Sequence, residues 1–209
     1  MKRNSISTNI IRDENAELEY IVTPNTKELF DKIFTNENIT SKSFNLIGNY
    51  GTGKSTFLWA LEKNLTGERI YFGDAYAHTQ IKGYEILKII GDNDSLSKSV
   101  ARQLKLGDDI SSASIIESLE ARRIKLKKKN FGFVLMIDEF GKFLEYASKN
   151  NTLEDLYLVQ LIAEWANDTN YESRFLVTVH QNLLNYAHSL SNQDRLEWEK
   201  VKGRFTDVM

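Results

Sequence analysis

Apolar positions recur along this chain as short continuous runs and as helical repeats, and the two patterns alternate. The runs predict strands at Leu18 to Val22, Phe44 to Ile47, Arg69 to Phe72, Phe131 to Ile137 and Phe175 to Val179. Apolar residues spaced by three or four positions predict helices over Asn25 to Phe34, Ser55 to Leu65, Ile115 to Leu126 and about Thr152 to Ala166. Strands that alternate with helices are typical of an α/β domain with a mainly parallel central sheet.

Two parts of the chain carry no clear pattern. Residues 1 to 16 are polar and aperiodic and are predicted to form a flexible N-terminal arm, so the folded domain is expected to cover residues 17 to 209. The polar stretch from Asp74 to Asp109 gives only a partly helical pattern.

Asn25, next to the single proline Pro24, is the predicted N-cap of the first helix.

Composition narrows the class of protein. The 209 residues are 41% hydrophobic, which suffices for one globular domain with a sizeable core. The absence of cysteine and the presence of only three histidines argue against disulfides and zinc sites. No apolar stretch is long enough to cross a bilayer and the start lacks a secretory signal, so a cytoplasmic protein is expected. A net charge of −2 gives no general basic field for nucleic acid.

The segment between the second predicted strand and its helix matches a phosphate-binding loop. Gly48-Asn49-Tyr50-Gly51-Thr52-Gly53-Lys54-Ser55 fits the Walker A pattern G-x-x-x-x-G-K-[ST] at every fixed position. Its glycines allow successive N–H groups to turn inward around a phosphate at a helix N-terminus. Lys54 is the expected contact to the β- and γ-phosphates of ATP, and Ser55 is an expected Mg²⁺ ligand. The predicted nucleotide contacts are Gly48, Asn49, Tyr50, Gly51, Thr52, Gly53, Lys54, Ser55 and Thr56.

An acidic motif follows the most apolar strand. Phe133-Val134-Leu135-Met136-Ile137-Asp138-Glu139 delivers two carboxylates at the carboxyl end of a buried strand, which is a Walker B sequence. Asp138 is predicted to hold Mg²⁺ in concert with Ser55, and Glu139 to orient and polarise the attacking water. A carboxylate in this place favours hydrolysis, because an enzyme that transfers phosphate to a small molecule has to exclude water.

These motifs resemble those of AAA+ and related ASCE P-loop ATPases, which insert an additional strand between the Walker A and Walker B strands. The resemblance covers most of residues 20 to 207 and implies a three-layer P-loop NTPase fold that hydrolyses Mg·ATP as a homo-oligomer or larger assembly. It also implies a polar sensor residue after the next strand, for which His180 is the first candidate and Gln181 the second. Lys202-Gly203-Arg204-Phe205-Thr206-Asp207 resembles the segment whose arginine reaches the γ-phosphate of a neighbouring subunit. The predicted catalytic residues are Glu139, Lys54, His180 and Arg204.

The resemblance carries further expectations. In the family, a fifth strand and a helical lid follow the arginine, and neither is expected here because the sequence ends at Met209. The domain is therefore interpreted as part of a longer protein. Residues 137 to 146, with the later His-Gln and Gly-Arg-Phe, also resemble large bacterial ATP-binding proteins of defence-associated type. Tyr20 to Val22 and Pro24 occupy the place where related ATPases contact adenine.

Several alternatives stay open on the sequence alone. The domain is either a working ATPase, an ATP/ADP-controlled signalling switch with slow turnover, or a small-molecule phosphotransferase. His180 is either a sensor or a structural histidine, and Arg204 either a catalytic or a surface arginine. The basic run of Arg122, Arg123, Lys125, Lys127, Lys128 and Lys129 is either a nucleic-acid contact or a solvated helix end stabilised by the helix dipole.

Overall fold

The structure is a computed structural model that describes residues 19–36, 41–107, 110–150, 153–187 and 192–208. The arm predicted over residues 1–16 lies outside these described residues. Within them, five strands pair in parallel to form one sheet in the order β2-β3-β4-β1-β5. The strands are β1 Ser43–Ile47, β2 Tyr84–Ile90, β3 Gly132–Asp138, β4 Ser173–Val179 and β5 Thr206–Val208. The strand β4 therefore lies between the Walker A strand β1 and the Walker B strand β3, as the family resemblance implied.

Helices cover both faces of the sheet and complete a three-layer fold. They are α1 Pro24–Phe34, α2 Lys54–Leu65, α3 Leu96–Leu104, α4 Ser112–Lys127, α5 Gly141–Asn150, α6 Leu153–Asn167 and α7 Asn192–Lys202, with a short 3₁₀ helix at Leu183–Ala187. The helices α1 and α2 share one hydrophobic cluster with alternate strand residues, among them Met136 and Leu176. The helices α3 to α7 share the other cluster with the intervening residues, such as Leu135 and Phe175. None of the helices in the described ranges is long and apolar enough to cross a membrane.

The central strands β3 and β4 are buried along their whole length, which explains their nearly continuous apolar sequences. The predicted strands at Phe44 to Ile47, Phe131 to Ile137 and Phe175 to Val179 are confirmed to within two residues at each end. The helices predicted from Ser55, Ile115 and Thr152 are confirmed as α2, α4 and α6.

The strand predicted at Arg69 to Phe72 is wrong. Those residues form bends and coil, because the backbone N–H groups of Tyr71 and Phe72 donate to the side-chain oxygen of Asn64, each at 2.8 Å, instead of to a neighbouring strand. The actual second strand is β2, inside the stretch that showed no clear pattern. It is an edge strand of this sheet, so it carries charged residues such as Lys88, which pairs with Glu62 of α2.

Three further predictions about the ends of the domain are corrected. Residues 19–22, the described part of the predicted first strand, are coil, and the ring of Tyr20 lies against Tyr71 and Phe72. The first helix is capped by Thr23 rather than Asn25, since the Thr23 side chain accepts from Thr26 N–H and Pro24 occupies the first turn. A fifth strand is present, as β5 pairs with β1 from Thr206 to Val208.

Candidate nucleotide site

The predicted phosphate loop and Walker B residues meet at one edge of the sheet. All five strands run in the same direction, so their carboxyl ends share this edge. The loop follows β1, and its first residue Gly48 donates a backbone hydrogen bond of 3.2 Å to Val179, the last residue of β4. Asp138 ends β3, on the other side of β4. Ligands of parallel α/β sheets bind at this edge, beyond the carboxyl ends of the strands.

The loop between β1 and α2 has the geometry of a phosphate cradle. Gly51 and Gly53 adopt positive φ angles of 79° and 87°, which residues with a Cβ rarely adopt, and Gly53 is the N-cap of α2. The ammonium group of Lys54 lies across the loop and donates to the carbonyl oxygens of Gly48 at 2.5 Å and Asn49 at 2.8 Å. The positive end of the α2 dipole and the cation of Lys54 therefore both lie at this loop, which favours a bound anion.

Lys54 and Asp138 lie close enough to influence each other. Burial lowers the pKa of Lys54, and the carboxylate of Asp138 opposes this shift. Asp138 is almost completely buried, at 1% exposure. Its Oδ1 accepts hydrogen bonds, whereas its buried Oδ2 has no hydrogen-bond partner among the described residues. A buried carboxylate oxygen without a partner is costly, so this oxygen is available for a cation.

Thr178, near the end of β4, organises the Walker B turn. Its hydroxyl donates to Asp138 Oδ1 at 2.5 Å and accepts from the backbone N–H of Glu139 at 2.9 Å. Thr178 belongs to none of the sequence motifs described above. Its polarity inside the apolar run Phe175 to Val179 is the one sign in the sequence that it has a special role. Its contacts with Asp138 and Glu139 could not be predicted, because they depend on the pairing of β4 with β3.

Glu139 occupies a strained backbone conformation directly after β3. Its φ of 53° lies in the left-handed region, which typically costs a residue other than glycine about 1–3 kcal/mol. Three hydrogen bonds hold the turn, from Glu139 N–H to Thr178 and Asp138 and from Phe140 N–H to the Thr178 carbonyl. The Glu139 carboxylate is only 16% exposed and forms an ion pair with Lys142 in the first turn of α5. Residues strained in this way cluster at functional sites, and this one lies beside the phosphate loop.

His180 directly follows β4 and lies at the phosphate loop. Its imidazole stacks on the ring of Tyr50, with 3.5 Å between the ring centroids and 25° between the planes. Burial, followed by the charge of Lys54, lowers the pKa of His180, while Glu139 and Asp138 oppose the shift. The ring is therefore neutral near pH 7. Gln181, the second sensor candidate, is exposed.

Arg204 is not brought to this site. It follows α7 and lies near the amino end of the sheet, where its carbonyl oxygen accepts from Ser41 just before β1. Its guanidinium pairs with Glu164 of α6 at 2.5 Å, and the two side chains are 43% and 42% exposed. The length of β1 separates Arg204 from the phosphate loop, about 3.3 Å for each residue. Arg204 cannot reach the phosphates bound by its own chain.

The basic run at the end of α4 does not form one continuous charged surface. Arg122 pairs with Glu85 of β2, and Arg123 is buried, with its guanidinium 4.0 Å from the ring centroid of Tyr171. The four lysines of the run are exposed. A cleft of about 340 Å³ next to Arg123 and Lys127 is lined by the amino ends of β3 and β4, so it lies at the edge opposite the phosphate loop.

The segment predicted to contact adenine lies beside α2, the helix that starts at the phosphate loop. Tyr20 packs edge-on against Tyr71 and Phe72, with ring centroids 5.5 Å and 5.6 Å apart. Phe72 in turn lies 5.4 Å from Phe57 in the first turns of α2. The adenine contact itself remains a prediction.

Comparison with known proteins gives structural matches only. No protein-family model and no curated protein matches this chain. The Aeropyrum pernix ORC2 protein in its ADPNP-ADP complexes matches with a TM-score of 0.62 at 19% identity, over 94% of this chain and 50% of that chain. The ADP form of ORC2 matches with a TM-score of 0.56 at 15% identity, over 96% of this chain and 51% of that one. This chain thus spans about half the length of the ORC2 chains, and the likeness establishes a shared fold.

Proposed function

We propose that this chain, which has the AAA+ P-loop ATPase fold, binds Mg·ATP at the loop between β1 and α2 and hydrolyses it. The observation that carries the proposal is the buried Asp138 carboxylate, held by Thr178 beside Lys54 with one oxygen left without a partner. This arrangement is expected where a metal-bound triphosphate completes the site.

The residues present fit a magnesium ion. Within the described ranges no three His, Asp or Glu side chains form a metal cluster, and Mg²⁺ does not require one, because it keeps several waters and takes one or two protein ligands beside the phosphates. Ser55, in the first turn of α2, and Oδ2 of Asp138 would hold it. When bound, the metal would neutralise charge on the phosphate oxygens.

The protein's own residues divide the remaining tasks. Lys54 binds phosphate, and it must exchange the carbonyl oxygens of Gly48 and Asn49 for phosphate oxygens to do so. Glu139 polarises the attacking water, with its carboxylate oriented by Lys142 and its backbone held by Thr178. His180 senses the γ-phosphate as a neutral group.

Two substitutions test binding and hydrolysis separately. Lys54→Ala should weaken Mg·ATP binding in calorimetric titration by about 1.5–3 kcal/mol, which is roughly ten- to 150-fold. Glu139→Gln should bind Mg·ATP like the wild type and release no phosphate, because an amide cannot polarise water as a carboxylate does. Matched controls are Lys125→Ala and Glu117→Gln, both on the exposed side of α4. Unchanged ATP affinity in Lys54→Ala would place the nucleotide elsewhere.

Assembly is part of the proposal. Arg204 is remote from its own phosphate loop, so it would act on nucleotide bound by a neighbouring subunit, where its permanent charge suits the phosphoryl oxygens. The Glu164 pair does not prevent this, since an ion pair this exposed contributes at most about 1 kcal/mol. The sequence resemblance supports a role in a larger assembly, DNA-linked or of the anti-phage defence type.

The same remoteness of Arg204 favours a second candidate, an ATP/ADP-controlled switch with slow turnover. A switch would keep its nucleotide through purification and would hydrolyse slowly even when assembled. A working ATPase would release product and accelerate on assembly. Nucleotide content after purification and phosphate release at rising protein concentration distinguish the two.

A further inference from the structure

Tyr50 makes an unusual contact for an exposed loop residue. It is 79% exposed, yet its ring is stacked on the imidazole of His180 at 3.5 Å. Within the described part of the chain, His180 is the one ring that Tyr50 contacts. The stack joins the variable third position of the phosphate loop to the residue that follows β4.

His180 has little else to orient its side chain. Its Nδ1 is buried and has no hydrogen-bond partner among the described residues. The lowered pKa keeps the ring uncharged at neutral pH, so no ion pair holds it. The orientation of the imidazole therefore depends on packing, and aromatic stacking has a preferred geometry.

Tyr186 lies close to the backbone of His180. Burial raises the pKa of Tyr186 to about 12, so its hydroxyl stays neutral, and the nearby His180 backbone opposes this shift. That hydroxyl packs against Gly141, where a Cβ would collide with it. Gly141 begins α5, two residues after Glu139. Contacts thus run from the Walker B turn through Tyr186 and His180 to Tyr50.

We propose that Tyr50 is a positioning residue that holds the His180 imidazole at the phosphate loop, and so couples the loop to the Walker B turn. Its effect on turnover rests on the ATPase function proposed above. The contact between the Tyr50 and His180 rings does not depend on that function, because it can be observed without nucleotide. Tyr50 acts through His180 and takes no part in the chemistry.

The stack can be measured by NMR on the whole chain. The sequence has three histidines, so comparison with His180→Gln assigns the His180 ring protons. Stacking should shift these protons upfield in the wild type and in Tyr50→Phe. Tyr50→Ala should remove the upfield shift, whereas Tyr157→Ala, which removes an exposed tyrosine of α6, should leave it unchanged. His180 resonances that are the same in wild type and Tyr50→Ala would overturn the inference, whether or not the protein hydrolyses ATP.

Kinetics test the coupling. Tyr50→Ala should lower kcat by about two- to tenfold, the range expected for one aromatic pair, and His180→Ala should lower it by at least as much, because it also removes the sensor side chain. The double variant should lose no more than His180→Ala alone, and Tyr50→Phe should retain the wild-type kcat. A residue that merely shapes the loop would change KM instead. Additive losses in the double variant, or a change confined to KM, would overturn the positioning role. A wild-type chain that never hydrolyses ATP would refute the proposed function and the coupling to turnover. The contact between Tyr50 and His180 would then be tested by the NMR measurement alone.

Discussion

The hydroxyl of Thr178 lies between the two acidic residues of the Walker B turn and bonds to both. It donates to Asp138 Oδ1 at 2.5 Å and accepts from the backbone N–H of Glu139 at 2.9 Å. One side chain of β4 therefore sets the rotamer of the candidate metal ligand and stabilises the strained backbone of the candidate water-activating residue. The Asp138 rotamer and the Glu139 backbone therefore both depend on β4, which lies between β1 and β3 in the sheet.

Replacing Thr178 should damage both functions of the turn. Thr178→Val keeps the shape but removes the hydroxyl, so Asp138 Oδ1 loses a donor and Glu139 N–H an acceptor. We expect a loss of about 1–3 kcal/mol in unfolding free energy and at least a tenfold fall in phosphate release. Thr178→Ser, which keeps the hydroxyl, is the matched control. Urea unfolding and a phosphate assay measure the two effects, and wild-type turnover in Thr178→Val would contradict the assignment.

Gly91 should tolerate no side chain, because it follows β2 and packs against the Walker B turn. Its N–H donates to the Asp138 carbonyl at 2.7 Å, and a Cβ there would collide with the Glu139 carbonyl oxygen. Gly91→Ala should cost about 1–3 kcal/mol of stability and lower hydrolysis by displacing Glu139. Gly203→Ala, whose Cβ would meet its neighbours at 3.5 Å, should be nearly neutral in both thermal unfolding and phosphate release.

Mixing subunits tests Arg204. Arg204→Ala and Lys54→Ala subunits should each be inactive alone, whereas their mixture should regain activity where an intact loop meets an intact arginine. An arginine supplied in trans contributes roughly three to five orders of magnitude in related phosphoryl transfer, so even a small fraction of such interfaces is measurable. Phosphate release is the readout, and co-assembly is verified by light scattering. A mixture that co-assembles and stays inactive would rule out the inter-subunit role.

Acid should destabilise the wild type more than a variant without His180. The pKa of His180 lies below its ordinary value of 6.5, mainly through burial. As the pH falls below 6.5, His180 binds a proton in the unfolded chain but not yet in the folded protein, so the unfolded state is favoured. Between about pH 7.5 and pH 5.5, His180→Gln should therefore lose less unfolding free energy than the wild type in urea titrations. An equal or larger loss in His180→Gln would contradict the direction of the shift.

The strand–loop–helix unit of β1 and α2 and the strand β3 could be predicted because each is encoded in adjacent residues with strong local patterns. Phosphate binding by the loop stays a prediction. The role of Thr178 could not be predicted, since its place beside Asp138 depends on strand order rather than on sequence neighbours. The roles of His180 and Arg204 stay predictions, although the structure places the first at the loop and the second away from it.

The second strand was predicted at Arg69 to Phe72 instead of at Tyr84–Ile90 for a local reason. The apolar Tyr71 and Phe72 resembled a strand, but the amide of Asn64 takes their N–H groups. The strand β2 was not predicted because Glu85 and Lys88 interrupt its apolar pattern. These two residues pair with Arg122 of α4 and Glu62 of α2. Polar residues of an edge strand are paired by helices that a periodicity argument cannot position.

The separation of Arg204 from the phosphate loop also constrains symmetry. Arg204 and the phosphate loop lie at opposite ends of the strands of one sheet. If Arg204 completes a neighbour's site and the subunits all face the same way, each subunit contributes its arginine at one end and its phosphate loop at the other, so the contact is heterologous. Such contacts have a direction, and they either close into a ring or continue as a helical filament. An assembly built this way would have a polarity, with a first and a last subunit wherever it fails to close.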